Sequence, residues 1–387
     1  MTKILAIETS CDETSIAIVD FSGERTFSTL AHTTLSQANM HAQYGGVYPA
    51  MAKREHQKNI IPLLFTTLKE AGLLVPRDKP HVLDEKIKKK LTALLDREPT
   101  LAEKIILLAE QYKTPPIKAI PVTYGPGLEI ALWTGFNVAR ALSLIWNTPV
   151  IPTNHMEGHI YASLLEKNTI YKLPYPSLAL LISGGHTELV LLKNEHKYTI
   201  IGQTVDDAVG EAYDKSARLL GFDYPGGVLI SQQAELAKQT GGNKGTLTLP
   251  RPMIHSKDYN FSFSGLKTAV LYLVQKQTRL SKQFKQQLCL EFEQAVAEVL
   301  VSKTKRAIEK YKTKNLVVGG GVSANKNIRA EMQRMCDEQG VILHLPDKTL
   351  SGDNALMIAL SGYRRWKNDA YPKRVSRVKG NLTLEKS

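Results

Sequence analysis

The 387-residue chain has 43% hydrophobic and 22% charged residues, and 50 Lys and Arg against 37 Asp and Glu give it a formal charge of +13. This is the make-up of a globular protein large enough for two domains, and the absence of any apolar run near the roughly 20 residues needed to cross a bilayer excludes a membrane-spanning design. Three scattered cysteines, Cys11, Cys289 and Cys336, form no CxxC pair, which excludes a disulfide framework or a cysteine zinc site.

Met1-Thr2-Lys3 runs directly into an apolar, strand-like Ile4–Ile7, so neither a signal nor a transit peptide is expected and the protein is read as cytosolic. A polar turn over 8–14 and a second apolar run over 15–19 complete a predicted hairpin. A helix is predicted over 52–72, with Gly72 near its C-terminus. From about 77 to 116 the chain turns rich in Lys and Glu. Leu91, Leu94, Leu95, Leu101, Ile105 and Leu108 fall at helical spacing, and Pro76, Pro80, Pro99, Pro115 and Pro116 punctuate the stretch. This reads as one or two surface helices inserted into the first lobe. A second hairpin is predicted over 177–192 around the turn Ser183-Gly184-Gly185-His186-Thr187. A helix over 205–220, closed by Gly221, follows it. A third glycine turn, Gly319-Gly320-Gly321, links a buried strand to a helix that starts at Ser323 or Asn325. The repeated hairpin and helix indicate two α/β lobes. The expected division is a first lobe over 1–152, a second over 153–350, and a return to the first over 351–387. Residues 363–387 hold eight basic and two acidic residues, a basic tail that suits a polyanionic partner or a solvated surface.

The sharpest chemical signal is His155-Met156-Glu157-Gly158-His159. Residues four apart on a helix share a face, so both imidazoles can reach one metal ion. A third ligand is expected from Asp353, at a turn before a helix; two histidines and one carboxylate with open positions suit Fe(II), and zinc is compatible. The metalloprotease motif H-E-x-x-H is not met. Met156 stands where the general base belongs, and Glu157 is turned by roughly 100°. No GxxxxGK[ST] loop is present, which excludes a Walker-type ATPase. Asp207, Glu211 and Asp214 fall at helical spacing, either as a solvated acidic face or beside the loop Asp223-Tyr224-Pro225-Gly226-Gly227, where a carboxylate can meet a ribose. Ser264 is expected to cap a helix. No general base stands out.

Eight runs, IETSCDETSIAIVD, YGPGL, HMEGH, LISGGHTELV, DDAVGEAYDKSARLLGFDYPGG, NFSFSGLKTAV, GGGVSANKNIR and GDNALMIAL, stand in the order found in the tRNA N6-adenosine threonylcarbamoyltransferases of the bacterial TsaD type. The chain resembles that family over nearly its whole length, apart from the stretch near 77–116 and the tail. The resemblance implies the α/β fold shared by actin, sugar kinases and Hsp70 (the ASKHA fold), with two duplicated lobes and an interlobe cleft. It implies transfer of threonylcarbamoyl from threonylcarbamoyl-AMP to N6 of adenosine 37, in tRNAs reading codons that begin with A, with release of AMP. By motif, His155, His159 and Asp353 match the metal ligands, with iron the usual assignment. Leu181, Ile182, Ser183, Gly184 and Gly185 match a phosphate or acyl loop, and Asp214, Gly227 and Asn325 match residues that hold the adenylate. A paralogous TsaB-type subunit, a small TsaE-type ATPase and tRNA are the implied partners. Two departures stand out: the charged stretch lies on the lobe where partners are expected to dock, and Glu129 is acidic where the family has a small or apolar residue. An ATPase or sugar kinase of the same fold, with Glu8, Asp12 or Glu13 as its acid, is the main rival, but it leaves the paired histidines unexplained. An idle scaffold subunit is a second rival, which the metal ligands disfavour.

Overall fold

The computed structural model describes residues 1–79, 81–241 and 247–386; Pro80, one of the predicted breaks, lies outside them. The chain forms two compact units. The first comprises 1–37, 47–171 and 353–387, and the second 38–46 and 172–352.

In the first unit the apolar run after Met1 becomes strand β1, Thr2–Glu8, which turns back antiparallel as β2, Glu13–Phe21, and again as β3, Phe27–Ser36. Strands β4, Ile117–Gly125, and β5, Val150–Asn154, add in parallel on the other side of β1, giving the order β3-β2-β1-β4-β5. Parallel neighbours need a crossover, which the helix Glu129–Trp146 supplies between β4 and β5. The middles of the central strands, Ile4–Ile7 and Ile16–Val19, are apolar and fully buried, as expected where helices cover a sheet. A small hairpin, β6 Leu165–Glu166 and β7 Thr169–Ile170, ends the unit's second segment.

The second unit repeats the plan. Strands β8 Ser177–Ile182, β9 Thr187–Asn194 and β10 Lys197–Gln203 are antiparallel, and β11 Asn315–Gly319 and β12 Ile342–His344 add in parallel, in the order β10-β9-β8-β11-β12. The two sheets therefore share one connectivity, and each unit has its own apolar core.

The structure differs from the sequence-based expectation in three places. The first unit runs on to Tyr171 rather than stopping at 152, because the helix His155–Ser163 packs on the helix Ala355–Lys367, which closes the same unit. Gly158 makes that approach possible: a Cβ there would lie 3.0 Å from side-chain atoms of Met357 and Ile358. The charged stretch forms two helices, Glu85–Leu94 and Pro99–Gln111, and Asp84 caps the first through the amides of Lys86 and Ile87. Leu91, Leu95, Leu101, Ile105 and Leu108 are buried in the core, so the segment is amphipathic cover for the first unit. In the tail, Arg364 and Arg365 are buried and belong to the fold. Arg365 donates to Glu157, and only the later basic residues remain at the surface. Among the described residues no helix is long and apolar enough to cross a membrane.

Candidate functional sites

Helix geometry sets up the first site. Asn154 ends β5 and caps the next helix by accepting from the amides of Met156 and Glu157, so His155 is the first helical residue and His159 lies one turn on. Asn354 caps the helix Ala355–Lys367 through the amide of Met357, which fixes Asp353 on the loop just ahead of it. The three side chains converge: one ligand atom from each lies within 4.8 Å of the others. Asp353 Oδ1 is 3.3 Å from His155 Nε2 and 3.2 Å from His159 Nε2. Ligand bonds of about 2 Å to a shared ion fit a cluster of that size.

Two observations test the fit to a cation. Both ring nitrogens of His159 are buried without a hydrogen bond of acceptable geometry, an arrangement that calls for an explanation in a native interior. The charges are also one-sided, since Glu8 is fully buried beside the cluster. Glu8 Oε2 lies 3.2 Å from His155 Nδ1, and the Glu8 carboxylate also accepts from Thr123 and from the Ser10 amide. Ser10 Oγ is 3.1 Å from the same Nδ1. Burial pushes the His155 imidazole down, but Asp353 and Glu8 outweigh it and hold the ring well above its ordinary pKa; a proton there balances the carboxylates. Burial keeps His159 below its ordinary value. Burial alone would raise Asp353, yet the charge and hydrogen bond of His155 hold it far below the usual carboxylate range. Burial, with Asp353 and Asp12 nearby, raises Glu13. The Cys11 thiol is raised by burial and then by Asp12 and Asp353, so it offers no thiolate ligand. The donor set is two imidazoles and one carboxylate, with Glu8 turning His155.

Glu8 was legible only as an acid near the first turn; its contact with His155 joins residues 147 positions apart. Glu157 points away from the cluster and is buried against Ser361 and Arg365, so it is no general base there.

The second site lies wholly in the second unit. Gly184, Tyr213, Asp214, Gly227, Glu293 and Asn325 border a cavity of about 780 Å³, a usual size for a small-molecule site. Asp214 Oδ1 accepts from the amides of Gly226 at 2.8 Å and Gly227 at 3.3 Å, which fastens that loop to the helix Val209–Leu219. Asn325 caps the helix Lys326–Gln339 through Ile328, and its amide donates to Ser231 at 2.9 Å and to Glu293. The glycine turn is needed for packing. Gly320 has φ +93°, and a Cβ on it would sit 2.4 Å from the Ile182 carbonyl oxygen. Leu181 and Ile182 are fully buried on β8 and neither borders the cavity. Ser183 and Gly185 sit on the same turn as Gly184 but do not border the cavity. Glu293, buried within the helix Lys282–Tyr311, was missed; its one signal was an acid in a largely apolar run.

The acidic series does not form one site. Asp207 and Glu211 both pair with Lys215 at 2.7 Å, and Asp214 turns to the glycine loop. Ser264 is not a cap. Asp206 accepts from the amides of Phe263 and Ser264 and from the hydroxyls of Ser262 and Ser264, opening the helix Ser264–Gln275. Residues 205–208 are thereby held out of the helix predicted over 205–220, which starts at Val209.

Comparison with known proteins agrees with this architecture. The full-length HypF crystal structure superposes with a TM-score of 0.53 at 11% identity, covering 96% of this chain and 47% of that one. HypF from T. kodakarensis gives 0.53 at 11%, covering 95% and 48%. At this identity the likeness concerns the fold, the duplicated α/β plan of the actin and sugar-kinase group. Among curated sequences, the tRNA N6-adenosine threonylcarbamoyltransferase of Persephonella marina is 40% identical over 94% of this chain and 90% of its own length. That of Chromobacterium violaceum is 42% identical over 94% and 93%. The family model described as TsaD, tRNA N6-adenosine threonylcarbamoyltransferase, matches residues 28–77 and 100–360 and passes over 78–99. The chain belongs to the tRNA N6-adenosine threonylcarbamoyltransferase family.

Proposed function

We propose a division of labour for the reaction of this family, in which the chain is an acyltransferase that forms threonylcarbamoyl-adenosine in tRNA. The cluster His155, His159 and Asp353 holds one divalent cation in the first unit. The cavity bordered by Gly184, Asp214, Gly227 and Asn325 holds the adenylate part of threonylcarbamoyl-AMP in the second. The observation that carries the reading is the convergence of two buried imidazoles and one carboxylate, with the ring nitrogens of His159 lacking a hydrogen bond of acceptable geometry. The ligand chemistry suits Fe(II), with zinc compatible.

A cation held by these three residues would supply Lewis acidity. The other work falls to the chain. Glu8 accepts the Nδ1 proton of His155 and so fixes the tautomer that leaves Nε2 free. The backbone at Gly184 offers N–H groups to phosphate oxygens, and Asp214 holds the loop at Gly226 and Gly227 in place. Positioning the acyl group against a poorly nucleophilic exocyclic amine lowers the entropic part of the barrier. The anticodon loop suits such chemistry because its bases can be splayed without melting a duplex. Adenosine 37 of tRNAs reading codons that begin with A is the acceptor, AMP leaves, and a TsaB-type subunit and a TsaE-type ATPase are the partners; the family supports these assignments. The tRNA substrate supports a cytoplasmic location.

Nucleoside mass spectrometry tests the reading. tRNA incubated with the protein, its partners and threonylcarbamoyl-AMP should gain the modified adenosine, and the His155→Ala variant should give none. No product, or equal product from both, rejects it.

A further inference from the structure

A separate cavity, of about 890 Å³, lies within the first unit. One wall comes from the helix Glu85–Leu94 and the connector after it, the other from the helix Glu129–Trp146. Lys53, Lys90, Arg97 and Arg140 border it, and none of the four side chains makes an ion pair or hydrogen bond among the described residues. They outnumber the acids Asp96 and Glu98 on the same lining. Glu98 is only 7% exposed, its Oε1 accepts from Gln57 at 2.7 Å and its Oε2 is closed off from solvent, so Asp96 is the one exposed acid on this lining. Trp133, half-buried, adds a flat apolar face. Lys90, Asp96, Arg97 and Glu98 all fall in 78–99, the stretch that the family model passes over.

Surplus positive charge and an aromatic face together describe one ligand class. We propose that this cavity binds a small phosphate ester with a flat unsaturated body, as in a nucleoside diphosphate. The cations take the phosphates and Trp133 takes the ring. The site is separate from the adenylate cavity of the second unit and needs no role in the transfer.

Calorimetric titration of the full-length protein with ADP tests it, with adenosine and tRNA titrated in parallel. Wild type should show two ADP sites. The Arg97→Glu/Arg140→Glu variant should weaken one of them at least tenfold and leave the other unchanged, while Arg97→Lys/Arg140→Lys keeps both. Both arginines are exposed, and an unchanged melting temperature confirms that the variants fold. Trp133→Ala should weaken the same site, and adenosine should bind it at least tenfold more weakly than ADP. A single ADP site that charge reversal leaves untouched overturns the proposal. Charge reversal that lowers tRNA affinity alone also overturns it, since the groove is then a nucleic-acid contact.

Discussion

The cluster of His155, His159 and Asp353 in the first unit is built from three converging side chains, whereas the cavity in the second has glycine turns at Gly184 and Gly227 and a capping residue, Asn325, on its border. In the first, buried groups of one dominant sign are held close together, and a cation or a proton must balance them. In the second, polar groups are already satisfied within the chain: Asp214 by glycine amides, and Asn325 by Ile328, Ser231 and Glu293. The difference teaches where each is vulnerable. Removing a side chain should empty the first site, and adding a methyl group should close the second.

The largest effect should come from His159→Ala. Its buried ring nitrogens make no hydrogen bond of acceptable geometry, so loss of a ligand should abolish stoichiometric metal and reduce tRNA modification on the order of 100-fold or more. Elemental analysis of anaerobically purified protein together with nucleoside mass spectrometry checks this, and retained metal would break the contrast. Gly320→Ala probes the other region. A Cβ against the Ile182 carbonyl, at positive φ, should lower stability by about 2 kcal/mol or more and weaken nucleotide binding in the second unit while the metal content holds. Denaturant unfolding and AMP titration measure both; loss of metal alongside would mean that the regions are not independent. Glu8→Gln should weaken metal affinity by roughly 10–100-fold with no change in AMP affinity, as competition with a chelator would read. The smallest effect belongs to Asp206→Asn, which should cost about 1 kcal/mol as a weakened cap. Burial works against Asp206, but hydrogen bonds from Ser262, Ser264 and the Phe263 amide outweigh it and lower its pKa. A depressed folded pKa contributes stability above the unfolded carboxyl value and loses it as pH falls through the folded one. Wild type and variant should therefore differ at pH 7 and converge in acid; a constant gap would refute the cap.

Much of both regions was legible along the chain. The spacing of His155 and His159 placed them on one helical face, and the hairpin at 4–19 recurred at 177–192, as the matching sheet orders bear out. Contacts made across the chain were not legible. Asp206 reaches Ser262 and Ser264 over 56 and 58 positions, so Ser264 read as its own cap. The acids at 207, 211 and 214 read as one face because spacing cannot tell which of them finds a lysine and which a glycine loop. Arg364 and Arg365 read as part of a basic tail because charge counts carry no burial.

By itself the sequence determined local periodicity and turn chemistry: two hairpins, the glycine turns, the paired imidazoles and the family they point to. Those depend on interactions within a few residues, which spacing encodes directly. Only the tertiary structure decided that Glu8 lies against His155, that Glu293 anchors Asn325, and that Lys90 and Arg97 share a groove with Arg140. Each joins distant segments through packing, and packing depends on which surfaces the whole chain buries.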